Sequence, residues 1–128
     1  MCTLPPGSAV LICIAKFGPP HVWFVLSEPD DQGKVLSVML CTRRHHSDPT
    51  TIFVPGEYAF GDPTEGAIAY GETRLFPLVK LQEWLANGGA KNCAPLSEEQ
   101  LGRVLAGLRV SGFVPNWVVT YLDDRGLP

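Results

Sequence analysis

Short β-rich runs, each ended by a cluster of Pro, Gly or Asp, occupy the first part of the chain and constrain its fold more than any other feature. The runs are AVLICIA at 9–15, HVWFVLS at 21–27 and KVLSVMLC at 34–41. Branched aliphatic and aromatic residues favour extended backbone, whereas the intervening FGPP and EPDDQG segments favour turns. Short strands that reverse direction at close intervals predict a small barrel or sandwich.

The second and third runs predict an antiparallel pair. The turn-forming segment Glu28–Gly33 lies between them, so the chain reverses near Asp30 and Asp31. Positions equally distant from this reversal face each other, and His21 is therefore predicted to lie beside Thr42. Shorter strands are predicted at 52–54, 67–70 and 73–76.

The last part of the chain has helical patterns. Pro77 precedes apolar residues at helical spacing, which Asn87 and two glycines can end. Ser97 and Gln100 form a predicted capping box that opens a second helix, and Pro115 stands where a short last helix would begin. The fold class predicted is mainly β with C-terminal helices, comprising five to seven strands and two or three helices.

Length and charge narrow the class of protein. At 128 residues the chain predicts one domain, 1–128, with a β-barrel core at 1–76 and a helical part at 77–128 packed on it. A net charge of −3 argues against strong, sequence-blind binding of polyanions. The longest apolar run is far shorter than the roughly 20 residues that span a bilayer, so no membrane partner and a cytoplasmic location are expected.

The cysteines predict a reduced protein. The chain has 4 of them, with no C-x-x-C pair. Cys13 and Cys41 lie in apolar runs and are predicted to be buried thiols. Cys2 and Cys93 complete the set, and a reducing compartment fits all of them.

The segment TRRHHSDP at 42–49 concentrates the polar residues whose side chains carry chemistry. It has three interpretations, namely a nucleic-acid site, a metal site or a polar link between strands. A metal site of His45, His46 and Asp48 with His21 is the weakest, because the spacing matches no closed zinc pattern and Asp48-Pro49 predicts a turn. No metal and no cofactor is therefore predicted.

Metal-free RNA cleavage needs a base, a cation beside the phosphate and an acid for the leaving oxygen. A histidine suits proton transfer near neutral pH, and His21 is the candidate. Arg43 or Arg44 would supply the cation, with His45 or His46 as the second proton carrier. The alternatives are a histidine satisfied by backbone at a loop edge and a solvated pair of arginines at a strand end.

Five segments, taken in order and spacing, give the chain a family resemblance. They are PGSAVLI at 6–12, HVWFVLS at 21–27, LCT at 40–42, AIAY at 67–70 and TRLFPL at 73–78. From Pro6 to about Leu81 this order resembles the MazF/PemK-type toxin family, the SH3-like barrel ribonucleases of toxin–antitoxin pairs. His21 stands where that family carries an arginine, and Ser8 stands where it carries an acidic residue.

The resemblance implies a metal-independent endoribonuclease that cleaves single-stranded RNA. It implies an SH3-like barrel, a homodimer and an antitoxin protein as partner. The site residues expected on this basis are His21, Thr42 and Arg43 for catalysis, with RNA contacts from Arg44, His45, His46 and Lys16. Because the family arginine is absent, a non-catalytic SH3-like protein-binding module and a topoisomerase-inhibiting toxin remain as alternatives.

Overall fold

The computed structural model describes residues 3–58 and 65–128. Within these ranges six strands form one sheet, β1 Ala9–Ile12, β2 His21–Val25, β3 Lys34–Thr42, β4 Ile52–Phe53, β5 Gly66–Pro77 and β6 Ala90–Cys93. The helices are α1 Leu78–Asn87, α2 Glu98–Val110 and α3 Asn116–Asp124, and a short 3-10 helix, Ala15–Phe17, follows β1. The prediction of a mainly β fold with C-terminal helices is confirmed.

The strands lie in the order β4-β5-β3-β2-β1-β6, and every pairing is antiparallel. Strands β4 and β6 are the edges, and across the described ranges they do not pair with each other. Backbone pairing in this part of the chain therefore leaves the sheet open rather than closed into a barrel.

Both faces of the sheet are buried, which explains the continuous apolar runs in the sequence. In β2, Val22 and Phe24 pack in the cluster that includes α2 and α3. Trp23 and Val25 point to the opposite face and pack in the cluster that includes α1. Each such burial stabilises the fold by about 1.5–3 kcal/mol, so both helical layers hold the sheet in place.

Strand β5 is longer than predicted. The predicted strands at 67–70 and 73–76 are parts of one strand, Gly66–Pro77, whose pairing with β3 shifts register between Ser37 and Met39. A bulge of this kind accommodates extra residues without ending the strand. The alternation of apolar residues therefore changes phase between 67–70 and 73–76, although both segments belong to one strand.

Strand β6 was not predicted. Its sequence, AKNC, has little β propensity, and it forms because Ala90 and its neighbours pair with β1. The segment 77–128 therefore contributes an edge strand to the sheet in addition to its helices. No helix within the described residues is long and apolar enough to cross a bilayer.

The helix starts follow the sequence signals. Helix α1 begins directly after Pro77 and ends before Gly88, whose φ of 88° is left-handed. At α2 the Ser97 hydroxyl accepts the Gln100 N–H at 3.1 Å, and the Gln100 side chain accepts the Ser97 N–H at 2.9 Å. The capping box is confirmed, and α3 follows Pro115 as predicted.

Cys13, Cys41 and Cys93 are free thiols, while Cys2 lies outside the described residues. The prediction that Cys13 is buried is wrong, because β1 ends at Ile12 and leaves Cys13 exposed. Cys41 is half-buried at the end of β3.

Candidate functional site

A cavity of about 160 Å³, here called the His21 cavity, opens where β2 begins and β3 ends. The start of β5 and the turn after β4 complete its wall. It is lined by Pro20, His21, Val22, Leu40, Cys41, Thr42, Phe53, Val54, Tyr58, Glu65 and Gly66.

The strand register brings the start of β2 and the end of β3 together. Val22 pairs with Leu40, which places His21 opposite Cys41 and Thr42 one position further along β3. The prediction that His21 lies beside Thr42 is therefore off by one residue, although both residues lie at the same end of the sheet. Both residues line the His21 cavity, although they are far apart in sequence.

A backbone carbonyl orients the His21 ring. Nδ1 lies 2.7 Å from the Pro19 carbonyl oxygen. Because a carbonyl oxygen only accepts hydrogen bonds, Nδ1 carries the proton. Nε2 is then the nitrogen that accepts a proton in the neutral ring and donates one in the charged ring. His21 is therefore held in one tautomer suited to proton transfer.

Arg43 is paired with a carboxylate that the sequence did not single out. The Arg43 Nη1 lies 3.2 Å from the Glu65 Oε1, and the Arg43 backbone N–H donates to the Glu65 carbonyl oxygen at 2.9 Å. Both side chains are more than two-fifths exposed, at 43% and 42%, so solvent screens the pair and leaves it open to a ligand. Only the pairing of Thr42 with Gly66 reveals that Glu65 lies here.

The residues after Thr42 form a turn beside the cavity. The Arg44 N–H donates to the Ser47 hydroxyl at 2.8 Å, and the rings of His45 and His46 meet edge to face at 5.2 Å. A shallow depression next to this turn is lined by Arg43, Arg44, His45, Ser47, Pro49 and Glu65. Because β3 ends at Thr42, the residues from Arg43 onward are not part of the strand.

Lys16 lies elsewhere. It belongs to the 3-10 helix, and its Nζ lies 5.2 Å from the centre of the Phe17 ring. It lines a different groove, in which Arg74 and Lys80 are the other cations. The structure therefore does not bring Lys16 together with His21 or Thr42.

The carboxylate of Asp48 holds a turn. Its Oδ1 accepts the Thr50 N–H at 2.9 Å and the Thr50 hydroxyl at 2.6 Å, and its Oδ2 accepts the Ser111 hydroxyl at 2.5 Å. Asp48 is buried by these contacts, as its predicted turn position suggests. Among residues 3–58 and 65–128, no group of three or more His, Cys, Asp or Glu residues is arranged to hold a metal ion.

Two further polar groups of the cavity are neutral. Burial raises the pKa of the Cys41 thiol, whose Sγ lies 3.3 Å from the Ala67 carbonyl oxygen. Burial also raises the pKa of Tyr58, whose hydroxyl donates to the Ala94 carbonyl oxygen at 2.5 Å. The other ionisable side chains among the lining residues are those of His21 and Glu65.

Helix α2 holds a further part of the cavity wall. Arg103 forms an ion pair with Glu57, and its Nη2 donates to the Ile52 carbonyl oxygen at 2.7 Å. Gln100 donates from its side chain to the Glu57 carbonyl oxygen at 2.8 Å. These contacts hold the turn that carries Val54 and Tyr58, which line the cavity.

No protein-family model matches the chain, and no curated protein is significantly similar to it.

Proposed function

We propose that the His21 cavity is the active site of a metal-independent endoribonuclease that cleaves single-stranded RNA. The observation that carries this proposal is that His21, whose ring is oriented by a backbone carbonyl, lines one small cavity with Thr42 and Glu65, and that Glu65 is paired with Arg43. These groups come from β2, β3 and the residue before β5. Among them, Glu65, Arg43 and His21 would supply the base, the cation and the acid that phosphodiester transfer without a metal requires.

Each group has a role in the proposed reaction. The Glu65 carboxylate takes the proton of a ribose 2′-OH, and the 2′-oxygen forms a bond to phosphorus while the bond to the 5′-oxygen breaks. The charged His21 ring donates its Nε2 proton to the leaving 5′-oxygen. Arg43 neutralises the charge that develops on the phosphate, and the Thr42 hydroxyl hydrogen-bonds to it. The products are a 2′,3′-cyclic phosphate and a 5′-hydroxyl end.

The turn after Thr42 is proposed to bind the RNA outside the cavity. Arg44, His45 and His46 are exposed beside the Arg43–Glu65 pair, where they can contact the phosphates that flank the cleaved bond. Because the whole protein carries a charge of −3, this local contact is expected to be weak and salt-dependent.

The proposal extends to the biological setting that the resemblance implies. The support for an SH3-like barrel of the MazF/PemK type as the parent fold is the order and spacing of the sequence segments from Pro6 to Leu81 and the capping-box helix that follows them. On this proposal the protein is a cytoplasmic toxin that works as a homodimer and is neutralised by an antitoxin protein. Induced expression should then arrest growth, and His21→Ala should relieve the arrest.

Cleavage of single-stranded RNA in EDTA tests the activity. The wild-type protein should release fragments with 2′,3′-cyclic phosphate ends. His21→Ala and Glu65→Gln should each slow cleavage by about 10²–10⁴-fold, the usual contribution of an acid or base. Lys91→Ala, an exposed change on β6, is the matched control and should cleave at the wild-type rate.

Two results contradict the proposal. If RNA stays intact at high protein concentration, the protein is not a ribonuclease, and the non-catalytic binding module is favoured instead. Undiminished cleavage by His21→Ala would move the active site away from the His21 cavity.

A further inference from the structure

A second concave surface, here called the β5-edge groove, shares no lining residue with the His21 cavity. Its volume is about 900 Å³. The 3-10 helix, the second half of β5, the start of α1 and Trp117 of α3 form its walls. A ligand held here would leave His21 and Glu65 uncovered.

The groove follows a free strand edge. β3 covers one side of β5, pairing with Arg74 through Pro77, whereas β4 on the other side reaches only Gly66 and Ala67. Within the described ranges, no strand covers the outer side of β5 from Thr73 to Phe76. Alternate backbone N–H and C=O groups of an antiparallel strand point to that side, which makes it a template for another extended chain.

The groove is locally cationic. Lys16, Arg74 and Lys80 line it, and its lining residues include no carboxylate, although the whole protein carries a charge of −3. Glu83 lies 3.5 Å from Lys80, but both side chains are more than half exposed and such a pair is weak. The local field therefore attracts carboxylates to this edge.

The aromatic residues of the groove are arranged for side chains rather than for nucleobases. Lys16 Nζ and Arg74 Cζ lie over the Phe17 ring, 5.2 and 5.0 Å from its centre. Phe17 also meets Phe76 and Trp84 edge to face, each at 5.7 Å. Stacking of single-stranded RNA needs an open ring face, and the two cations occupy the space over the Phe17 ring. The interlocked rings instead offer an apolar floor.

We propose that the β5-edge groove binds an extended acidic segment of a partner protein, which adds to β5 as a further strand. Backbone hydrogen bonds to the free edge hold the segment, its carboxylates meet Lys16, Arg74 and Lys80, and its apolar side chains rest against Phe76 and Trp84. This interaction is independent of RNA cleavage, because it uses none of the residues of the His21 cavity.

Two amidated octapeptides provide the probe, one of alternating Glu and Val and the other of alternating Lys and Val. Trp84 and Trp117 line the groove, so their fluorescence reports binding, and calorimetry gives the Kd. The acidic peptide should bind and the basic one should not. Arg74→Glu should weaken binding about ten-fold or more, whereas Lys91→Glu, which removes a cation on β6, should change it less than about two-fold.

Methylation of the backbone nitrogens of the acidic peptide separates strand addition from charge attraction. Two methylated peptides are compared, each modified on one of the two sets of alternate nitrogens. Methylation keeps every carboxylate and removes N–H donors, so at least one of the two peptides should bind about ten-fold more weakly than the parent peptide. His21→Ala should bind the acidic peptide as the wild type does, whether or not the protein cleaves RNA.

Three results would overturn the inference. The first is that the acidic peptide does not bind at millimolar concentration. The second is that both methylated peptides bind as tightly as the parent peptide. The third is that an oligouridylate binds more tightly than the acidic peptide and that Arg74→Glu abolishes this binding. The last result would make the groove a nucleic-acid site.

Discussion

At the scale of single residues, burial decides whether the Cys41 thiol of the His21 cavity can act as a nucleophile. The Cys41 thiol lines the cavity beside His21, as a catalytic cysteine would. Burial, however, raises its pKa, and the neighbouring carbonyl of Ala67 accepts its hydrogen bond. Since a thiolate and not a thiol is the nucleophile, Cys41 is a lining residue.

Cys41→Ser should therefore cleave RNA within about three-fold of the wild-type rate. Serine retains a small hydrogen-bond donor at this position, and the substitution removes no group that takes part in the proposed reaction. The same preparations should show that iodoacetamide at neutral pH leaves the wild-type rate unchanged. A loss of a hundred-fold or more in Cys41→Ser, with an unchanged circular dichroism spectrum, would contradict this role and indicate a covalent mechanism.

At the scale of elements, a glycine sets how closely α2 approaches the sheet. Tyr70 of β5 is fully buried, and its hydroxyl donates to the Val104 carbonyl oxygen of α2 at 2.8 Å while Thr51 lies 2.7 Å away. A Cβ at Gly107 would overlap the Tyr70 hydroxyl and come within 2.7 Å of the Thr51 hydroxyl oxygen. The absence of a side chain at Gly107 lets these three elements meet.

Gly107→Ala should lower the free energy of unfolding by about 1–3 kcal/mol, the usual effect of overpacking a core. Gly102→Ala is the matched control in the same helix, since nothing lies within 4 Å of its added Cβ. It should instead stabilise the protein by about 0.5–1 kcal/mol through helix propensity. Urea denaturation measures both, and equal effects would show that α2 is free to shift.

At the scale of the whole molecule, Asp30 ties the hairpin between β2 and β3 to the last helix. Its Oδ1 accepts the backbone N–H groups of Lys34 at 2.9 Å and Gln32 at 2.8 Å, and its Oδ2 accepts the Tyr121 hydroxyl at 2.9 Å. The bond from Lys34 is the main cause that lowers the pKa of Asp30 below its ordinary 3.8, against the effect of burial. Burial first and Asp30 second raise the pKa of Tyr121 to about 12, so its hydroxyl stays a donor.

The lowered pKa of Asp30 fixes the direction of a pH effect. Its carboxylate stabilises the fold above its unfolded pKa, near 3.8, and this contribution is lost as pH falls through the folded pKa. Asp30→Asn should lower the free energy of unfolding at pH 7 by about 1 kcal/mol. This is less than a buried hydrogen bond to a charged group contributes, because the site is partly open to water. Denaturant melts from pH 7 to 3 measure this.

The difference between Asp30→Asn and the wild type should shrink as the pH falls below about 4. Asp31→Asn, an exposed change in the same turn, is the control and should follow the wild type. A difference that stays constant down to pH 3 would show that charge is not the cause.

The helices and the hairpin between β2 and β3 were predictable because their signals are local. Ser97 and Gln100 cap α2 with each other, three residues apart, and the turn at Asp30 closes within its own segment. Strand β6 and the length of β5 were not predictable, because AKNC becomes a strand only by pairing with β1 and the bulge in β5 is defined only by its partner β3. The β propensity of a segment is a weak guide to its structure wherever pairing with another strand supplies the stabilisation.

The candidate site divides in the same way. The sequence alone determined that an imidazole at the start of one strand and a hydroxyl and arginines at the end of the next come to the same end of the sheet, because the turn that joins the two strands has a local signal. The exact register, with His21 opposite Cys41, was decided by the structure. Only the tertiary structure decided that Glu65 joins Arg43, that Lys16 lies in a different groove and that Cys41 is a neutral thiol. Each of these depends on contacts between residues distant in sequence, or on exclusion of water, and neither is encoded in a local pattern.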